Sequence, residues 1–201
     1  SERVSKYIGI ITSIITNIKE DGSIWLNSDY FTYATGLKMV KDGKWERLFG
    51  FSRRKPESTI EQHHCDLALA IQMVTEDILI KMAREAKKIT GAEYLCLSGG
   101  VALNCVANGK IKNLEIFKDI YIQPAAGDAG GALGAALSCY HIYFNQPRET
   151  FESIDKMKGA LLGPEYSDSD IELVVKKYKA KCKYFNNYEE LTEKVSDLLS
   201  D

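Results

Sequence analysis

Two short apolar strands, each followed at once by a glycine-rich turn and a helix, constrain this chain more than anything else in it. Tyr94 to Leu97 reads as a strand, Ser98-Gly99-Gly100 as a tight turn and Val101 to Lys112 as a helix. Ile120 to Gln123 reads as a second strand, Pro124 to Gly131 as a glycine-rich loop and Ala132 to Phe144 as a helix. Strands that alternate with helices imply a parallel sheet joined by right-handed crossovers, so the expected class is α/β. The run Leu95-Cys96-Leu97 is apolar enough to be buried, with Cys96 a small buried hydrophobe.

Upstream, Val4 to Lys19 reads as a helix, and Asp21-Gly22 turns the chain into a short strand, Ser23 to Asn27. From Asp29 to Pro56 the pattern is irregular, with a second turn at Asp42-Gly43 and a short helical piece from Trp45 to Phe49. The strongest helix follows. Ser58 and Glu61 have the spacing of a capping box. Leu67, Ile71, Val74, Ile78 and Met82 recur every three or four residues as one apolar stripe, and Gly91 supplies a left-handed stop. Downstream, Asn145 to Ser167 reads as a linker. Asp168 to Lys179 is a helix, Lys183-Tyr184-Phe185 a strand and Tyr188 to Ser200 a helix, a short α+β appendage. The charged tract Lys176 to Lys183 reads as a solvated helix end. Leu191, Val195, Leu198 and Leu199 leave an apolar helical face at the end of the chain, and the chain starts on Ser1, so both ends are expected to be cut from something longer.

Composition narrows the function. The net charge of −2 predicts no broad nucleic-acid footprint. No apolar run approaches the roughly 20 residues needed to span a bilayer, so no membrane association is expected. The five cysteines, Cys65, Cys96, Cys105, Cys139 and Cys182, are odd in number, widely spaced and without a Cys-x-x-Cys pair. That argues against a disulfide framework or a zinc ribbon and suits a reducing cytoplasm.

The chemistry sits in the two turns. In Ser98-Gly99-Gly100-Val101-Ala102-Leu103-Asn104, glycines let backbone approach a ligand, and the following helix start offers free N–H groups that suit phosphate. Asn104 could bond a ribose or phosphate oxygen; the plainer reading is a bare strand-to-helix turn. In Gln123 to Gly131, Asp128 is the single ionisable residue. It could hold a metal ion bridging to phosphate, though the local pattern favours a helix cap. Neither Gly-x-x-x-x-Gly-Lys nor Gly-x-Gly-x-x-Gly is present, which counts against a P-loop or a dinucleotide fold. His63, His64, Cys65 and Asp66 fan around a helix start, so a solvated or partly packed turn is favoured over a metal site. His141 is expected to be structural.

Both loops resemble the signatures of O-carbamoyltransferases of the nodulation-protein-U type. The first match runs from Leu95 to Gly109 and the second from Gln123 to Ala136. Arg54-Lys55-Pro56-Glu57-Ser58, Asp29-Tyr30-Phe31 and Gly163-Pro164-Glu165-Tyr166 are also similar, so the resemblance covers nearly the whole chain. It implies an actin-like, hexokinase-like (ribonuclease-H-like) ATPase half-domain over residues 1–148, then a linker and the opening of a carbamoyl-adenylate-forming region over 149–201. It implies ATP and carbamoyl phosphate as substrates, with a carbamoyl group passing through carbamoyl-adenylate to a hydroxyl of a sugar or other small molecule. Ser98, Gly99, Gly100, Val101 and Asn104 match the family's nucleotide loop, with Gly127 and Gly130 from the second loop. Asp128 matches its carboxylate ligand to an iron-like divalent metal.

Two departures matter. The family's metal histidines, spaced His-x-x-x-His, and its basic motif for carbamoyl phosphate have no counterpart here. The chain alone is therefore expected to be inactive, no residue in it is nominated as general base, and an exposed half-domain surface favours self-association into dimers. The rival readings are a non-catalytic nucleotide-binding or assembly module using the same loops without metal, and a sugar-kinase-like ATPase.

Overall fold

A computed structural model describes residues 1–149 and 157–200. Its organising element is one long helix, α3, from Gln62 to Thr90. At 1.5 Å per residue it is about 43 Å long and can support two separate cores. Its N-terminal half meets α1, Glu2–Ile10. Val4, Tyr7 and Ile11 bury one helical stripe of α1, which continues to Ile15 through a wider π-type turn, Ile11–Ile15. That stripe packs on Ala70 and Val74 of α3 and on Phe49 of α2, Asp42–Phe49. Each fully buried side chain of this size contributes about 1.5–3 kcal/mol. Trp45 stacks on Phe49 at 5.5 Å, and its indole N–H donates to Tyr30 O at 2.9 Å, which fixes the ring.

The helix expected over Val4 to Lys19 stops early. Thr16–Ile18 is instead a strand, β1, paired antiparallel with β2, Ile24–Leu26. The strand pair satisfies backbone groups that a continued helix would have turned away from Ser23 to Asn27. Asp42-Gly43 opens α2 rather than making a turn. The expected capping box shifts by three residues: Glu61 is the N-cap of α3 and its N–H donates to His64 Nδ1 at 2.9 Å, while Ser58 Oγ donates to Lys55 O. In the stripe, Val74 is buried and Leu67 and Ile78 pack on the core, but Ile71 and Met82 are exposed. Gly91 ends α3 in the left-handed conformation, as the sequence predicts.

The second core lies on the C-terminal half of α3. Strands β3, Tyr94–Leu97, and β4, Asp119–Ile122, pair in parallel. Ala83, Ile111 and Phe117 form the buried centre, with Leu95 and Ile120 against it. Leu95 pairs with Ile120 and Leu97 with Ile122 on the covered face. Tyr94, Cys96, Asp119 and Tyr121 occupy the opposite, exposed face. The expectation of a fully buried strand and a buried Cys96 is thus corrected: all five cysteines are exposed and free. Parallel sheets are ordinarily covered on both faces, so this one presents a bare side.

Helix α4 spans Cys105–Asn113, preceded by a 3₁₀ turn, Gly100–Leu103. Helix α5 spans Ala129–Ser138, runs on through a π-type turn to Tyr143, and buries none of its residues. His141 lies in that turn with Nδ1 3.0 Å from Gln146 O.

The chain divides into two compact units, Ser1–Thr150 and Phe151–Asp201. Part of the predicted linker, residues 150–156, lies outside the described residues. In the second unit, α6 (Asp168–Tyr178) begins with a Ser167–Asp170 capping box, and α7 spans Tyr188–Ser200. Lys183 to Phe185 is not a strand, and no strand occurs among the described residues of this unit to pair with it. Described residues 1–149 and 157–200 are therefore mostly helical, with one small antiparallel and one small parallel sheet. None of the described helices is long and apolar enough to cross a membrane.

Candidate functional site

The turns after β3 and β4 leave the same end of the parallel pair, where ligands bind in open α/β sheets. They are stitched together at one point: Gly99 N–H donates to Ala126 O at 2.8 Å. Gly99 has φ of +95°, a conformation that an L side chain rarely adopts, and Ala126 is buried. The stitch brings Ser98, Gly99 and Gly100 of the first turn beside Ala125 and Ala126, next to Gly127 and Asp128 of the second.

In the first turn, Ala102 N–H bonds Gly99 O at 2.9 Å and Asn104 N–H bonds Val101 O at 3.0 Å. The N–H groups of Gly100 and Val101 open the 3₁₀ turn and so have no acceptor within it. Ser98, Gly99, Gly100 and Val101 are all exposed. Asn104 behaves differently from the sequence expectation. Its Oδ1 caps α4 by accepting from Ala107 N–H at 3.1 Å, and its side-chain amide is paired with Gln72 on α3. Most of its bonding capacity is internal.

In the second turn, Asp128 stands at the N-cap of α5 and is exposed, yet its side chain makes no capping hydrogen bond. Gly130 is explained by packing: a Cβ there would collide with the carbonyl oxygen of Ala125. Gly127 has open space around it.

Among the described residues no group of three His, Cys, Asp or Glu side chains could hold a metal ion. Asp128 is a single oxygen ligand, which does not by itself make a metal site. The His63–Asp66 turn is engaged in packing. The rings of His63 and His64 lie 4.3 and 5.6 Å from Phe51, and Asp66, buried, pairs with Arg3 at 3.0 Å and Gln62 at 3.0 Å. Because His64 Nδ1 accepts a backbone proton, its ring proton sits on Nε2 when neutral.

One feature was not read from the sequence. A cavity of about 540 Å³ lies among Val40, Trp45, Phe49, Phe51, His64 and Leu67, with Lys38 and Arg53 at its edge beside Asp42. Its size and aromatic walls are those of recesses that small organic molecules fill. Lys38 Nζ bonds Asp42 Oδ2 at 2.8 Å, and this hydrogen bond holds the Asp42 carboxyl below its ordinary value. The sequence does show Trp45 and Phe49 one helical turn apart, but nothing local announces that Val40, His64 and Leu67 close a recess around them.

Residues 5–137 match the family described as Carbamoyltransferase N-terminus. The chain belongs to that family. It is 44% identical over 196 residues to the uncharacterized protein sll1178 of Synechocystis, covering 97% of this chain and 32% of the relative. It is 42% identical over 102 residues to the nodulation protein NolNO of Sinorhizobium fredii, covering 50% of this chain and 15% of that one. To the 3'-hydroxymethylcephem-O-carbamoyltransferase of Streptomyces clavuligerus it is 29% identical over 89 residues, 44% of this chain and 17% of the relative. The chain thus spans about a third or less of the length of these relatives. Both glycine turns of this carbamoyltransferase N-terminal segment fall inside the matched residues.

Proposed function

We propose that this chain supplies one half of the nucleotide cleft of an ATP-dependent O-carbamoyltransferase, residues 1–148 being the second half of an actin-like ATPase domain and residues 149–201 leading into a carbamoyl-adenylate-forming region. The full-length protein would move a carbamoyl group from carbamoyl phosphate, through carbamoyl-adenylate, to a hydroxyl of a sugar or other small molecule. The supporting observation is the stitch between Gly99 and Ala126. It sets two glycine turns side by side at one end of a parallel strand pair and leaves the Gly100 and Val101 N–H groups open to an anion. The described residues supply donors and shape rather than acid–base chemistry, which suits a reaction driven by positioning and charge stabilisation. In this reading Asp128 contributes one ligand to a divalent, iron-like ion whose remaining ligands lie in other segments. Such an ion would polarise the carbamoyl carbonyl.

Calorimetric titration of this chain with ATP, with and without a divalent iron surrogate, tests the proposal. Saturable binding that weakens in Asp128→Ala when the metal is present is the expected result. A chain that binds no ATP under any condition overturns the claim that its half-site is formed. A second reading, a nucleotide-binding or assembly module without catalysis, is favoured by the lack of a three-ligand group among the described residues. It predicts ATP affinity that a chelator leaves unchanged.

A further inference from the structure

We infer that Gln72, on the long helix beneath the site, is a positioning residue that holds the phosphate-facing turn Gly100–Leu103 in place through Asn104. This rests on the nucleotide reading above and changes the role that the sequence gave to Asn104.

A closed circuit of hydrogen bonds holds the turn. Gln72 Nε2 donates to Asn104 Oδ1 at 3.1 Å, and Asn104 Nδ2 donates back to Gln72 Oε1 at 2.9 Å. Gln72 Nε2 also donates to Glu76 Oε1 at 2.9 Å, and Glu76 Oε2 accepts from Lys110 of α4. The orientation of each amide is forced. An ionised carboxylate only accepts, so Glu76 requires the NH₂ end of Gln72. Asn104 must present oxygen to Ala107 N–H, so its NH₂ end faces the Gln72 oxygen. Glu76 is 6% exposed, which makes it the fixed point of the circuit. A buried carboxylate must be paired, and it has Gln72 on one oxygen and Lys110 on the other.

The circuit ties α4 to α3 at both of its ends. Lys110 fastens the C-terminal half of α4 to Glu76, and Asn104 fastens its cap to Gln72, one helical turn away on α3. Asn108 of α4 ties the turn to that helix, with Nδ2 donating to Ala102 O at 2.7 Å. The turn whose Gly100 and Val101 N–H groups have no acceptor within it is thus held at Ala102 and Asn104 before any ligand arrives. Order present before binding does not have to be supplied by the ligand. Asn104 has one N–H left after these bonds, so its main contribution is to place its neighbours. Gln72, 32 positions away, is the residue that decides where Asn104 sits.

The test is Gln72→Met, which keeps length and removes every polar bond, in this chain as it stands. ATP affinity is measured by titration, and hydrogen exchange is followed at Ala102, Asn104 and Ala107. Exchange at these amides should quicken, and ATP binding should weaken, each by about tenfold, while exchange around Tyr7 stays as it was. Should Gln72→Met fail to fold, Asn104→Ser keeps the helix cap and removes the amide pair, and the same two changes are expected. In the double variant the losses should not add, because one interaction has been removed twice. Full additivity, or a loosened turn with unaltered ATP affinity, overturns the positioning role. A wild-type chain that binds no ATP defeats the nucleotide reading instead, and the hold on the turn is then decided by the exchange rates alone.

Discussion

The two strand–turn–helix units look alike in sequence and differ in how they are held. The first turn is anchored from below: its last residue is bound to α3, Ala102 O is bound by Asn108, and α4 buries Ala107, Asn108 and Ile111. The second turn hangs from the first through Ala126, and the helix it starts buries nothing. Tyr140, Ile142, Tyr143 and Phe144 beyond that helix are all exposed apolar or aromatic groups. The helix of the first unit packs into a core, and the helix of the second does not. A site shared between a rigid and a loosely supported turn can be complete on one side and adjustable on the other, because local stability follows local burial.

The largest expected break in this asymmetry is Gly130→Ala. The new Cβ meets a backbone oxygen that cannot swing aside, so the second turn should lose about 3 kcal/mol of local stability, the upper end for overpacking. Exchange at the Gly130 and Gly131 N–H groups, bonded to Gly127 O and Asp128 O at 3.0 and 3.1 Å, reports it. In the first turn, Gly100→Ala meets nothing within 4 Å and should shift stability by less than about 0.5 kcal/mol. Equal costs at the two glycines would mean that the turns are supported alike. Next in size is Lys110→Met, which leaves the buried Glu76 carboxylate with Gln72 alone. Its cost in denaturant unfolding should be about 1–3 kcal/mol, towards the lower end because Lys110 is half exposed.

Much of the first unit was legible in sequence because its signals are local. Short apolar runs before glycine turns gave β3 and β4, and Gly91 gave the end of α3. What was not legible is set at a distance. Nothing near Asn104 announces Gln72, and nothing near Lys110 announces Glu76, yet those pairs decide what Asn104 does. The stripe on α3 was half misread for a related reason. Its buried positions include Asp66, Ala70 and Glu76, small or charged residues that no hydrophobic pattern selects, whereas Ile71 and Met82 are exposed. Cys96 was misjudged likewise, since a strand cannot show which of its faces will find a neighbour. In the second turn the Asp128 ambiguity arose because a carboxylate just before a helix fits both a cap and a ligand.

A smaller effect separates the buried circuit from the surface charges. Burial pushes the Glu76 carboxyl up, but hydrogen bonds from Lys110 and Gln72, with the Lys110 charge, outweigh it and hold the carboxyl below its ordinary 4.5. A carboxyl lowered on folding stabilises the native state above its unfolded value, and this is lost as pH falls through the lower folded value. Stability should therefore decline below about pH 4.5, and Glu76→Gln should flatten part of that slope. Asp21, Asp42, Asp119 and Asp170 are also held low, chiefly by hydrogen bonds, and add to the same slope. An unaltered slope in Glu76→Gln would show that the circuit does not depend on its charge.

The smallest expected effect is the most discriminating for the second turn. Asp128 is exposed, occupies the cap position and makes no capping bond. A working Ser, Thr, Asn or Asp cap is worth about 1 kcal/mol, whereas an exposed side chain with no partner is worth less than about 0.5. Asp128→Ala should accordingly leave the unfolding midpoint of this chain where it was. A loss near 1 kcal/mol would return Asp128 to a structural role and remove the reason to assign it to a metal. An unchanged midpoint, together with weaker metal-dependent ATP binding in the same variant, would mean that a carboxylate with no structural duty is kept free for a ligand. It would then be the second turn, the less supported of the two, that carries the charge-bearing contact.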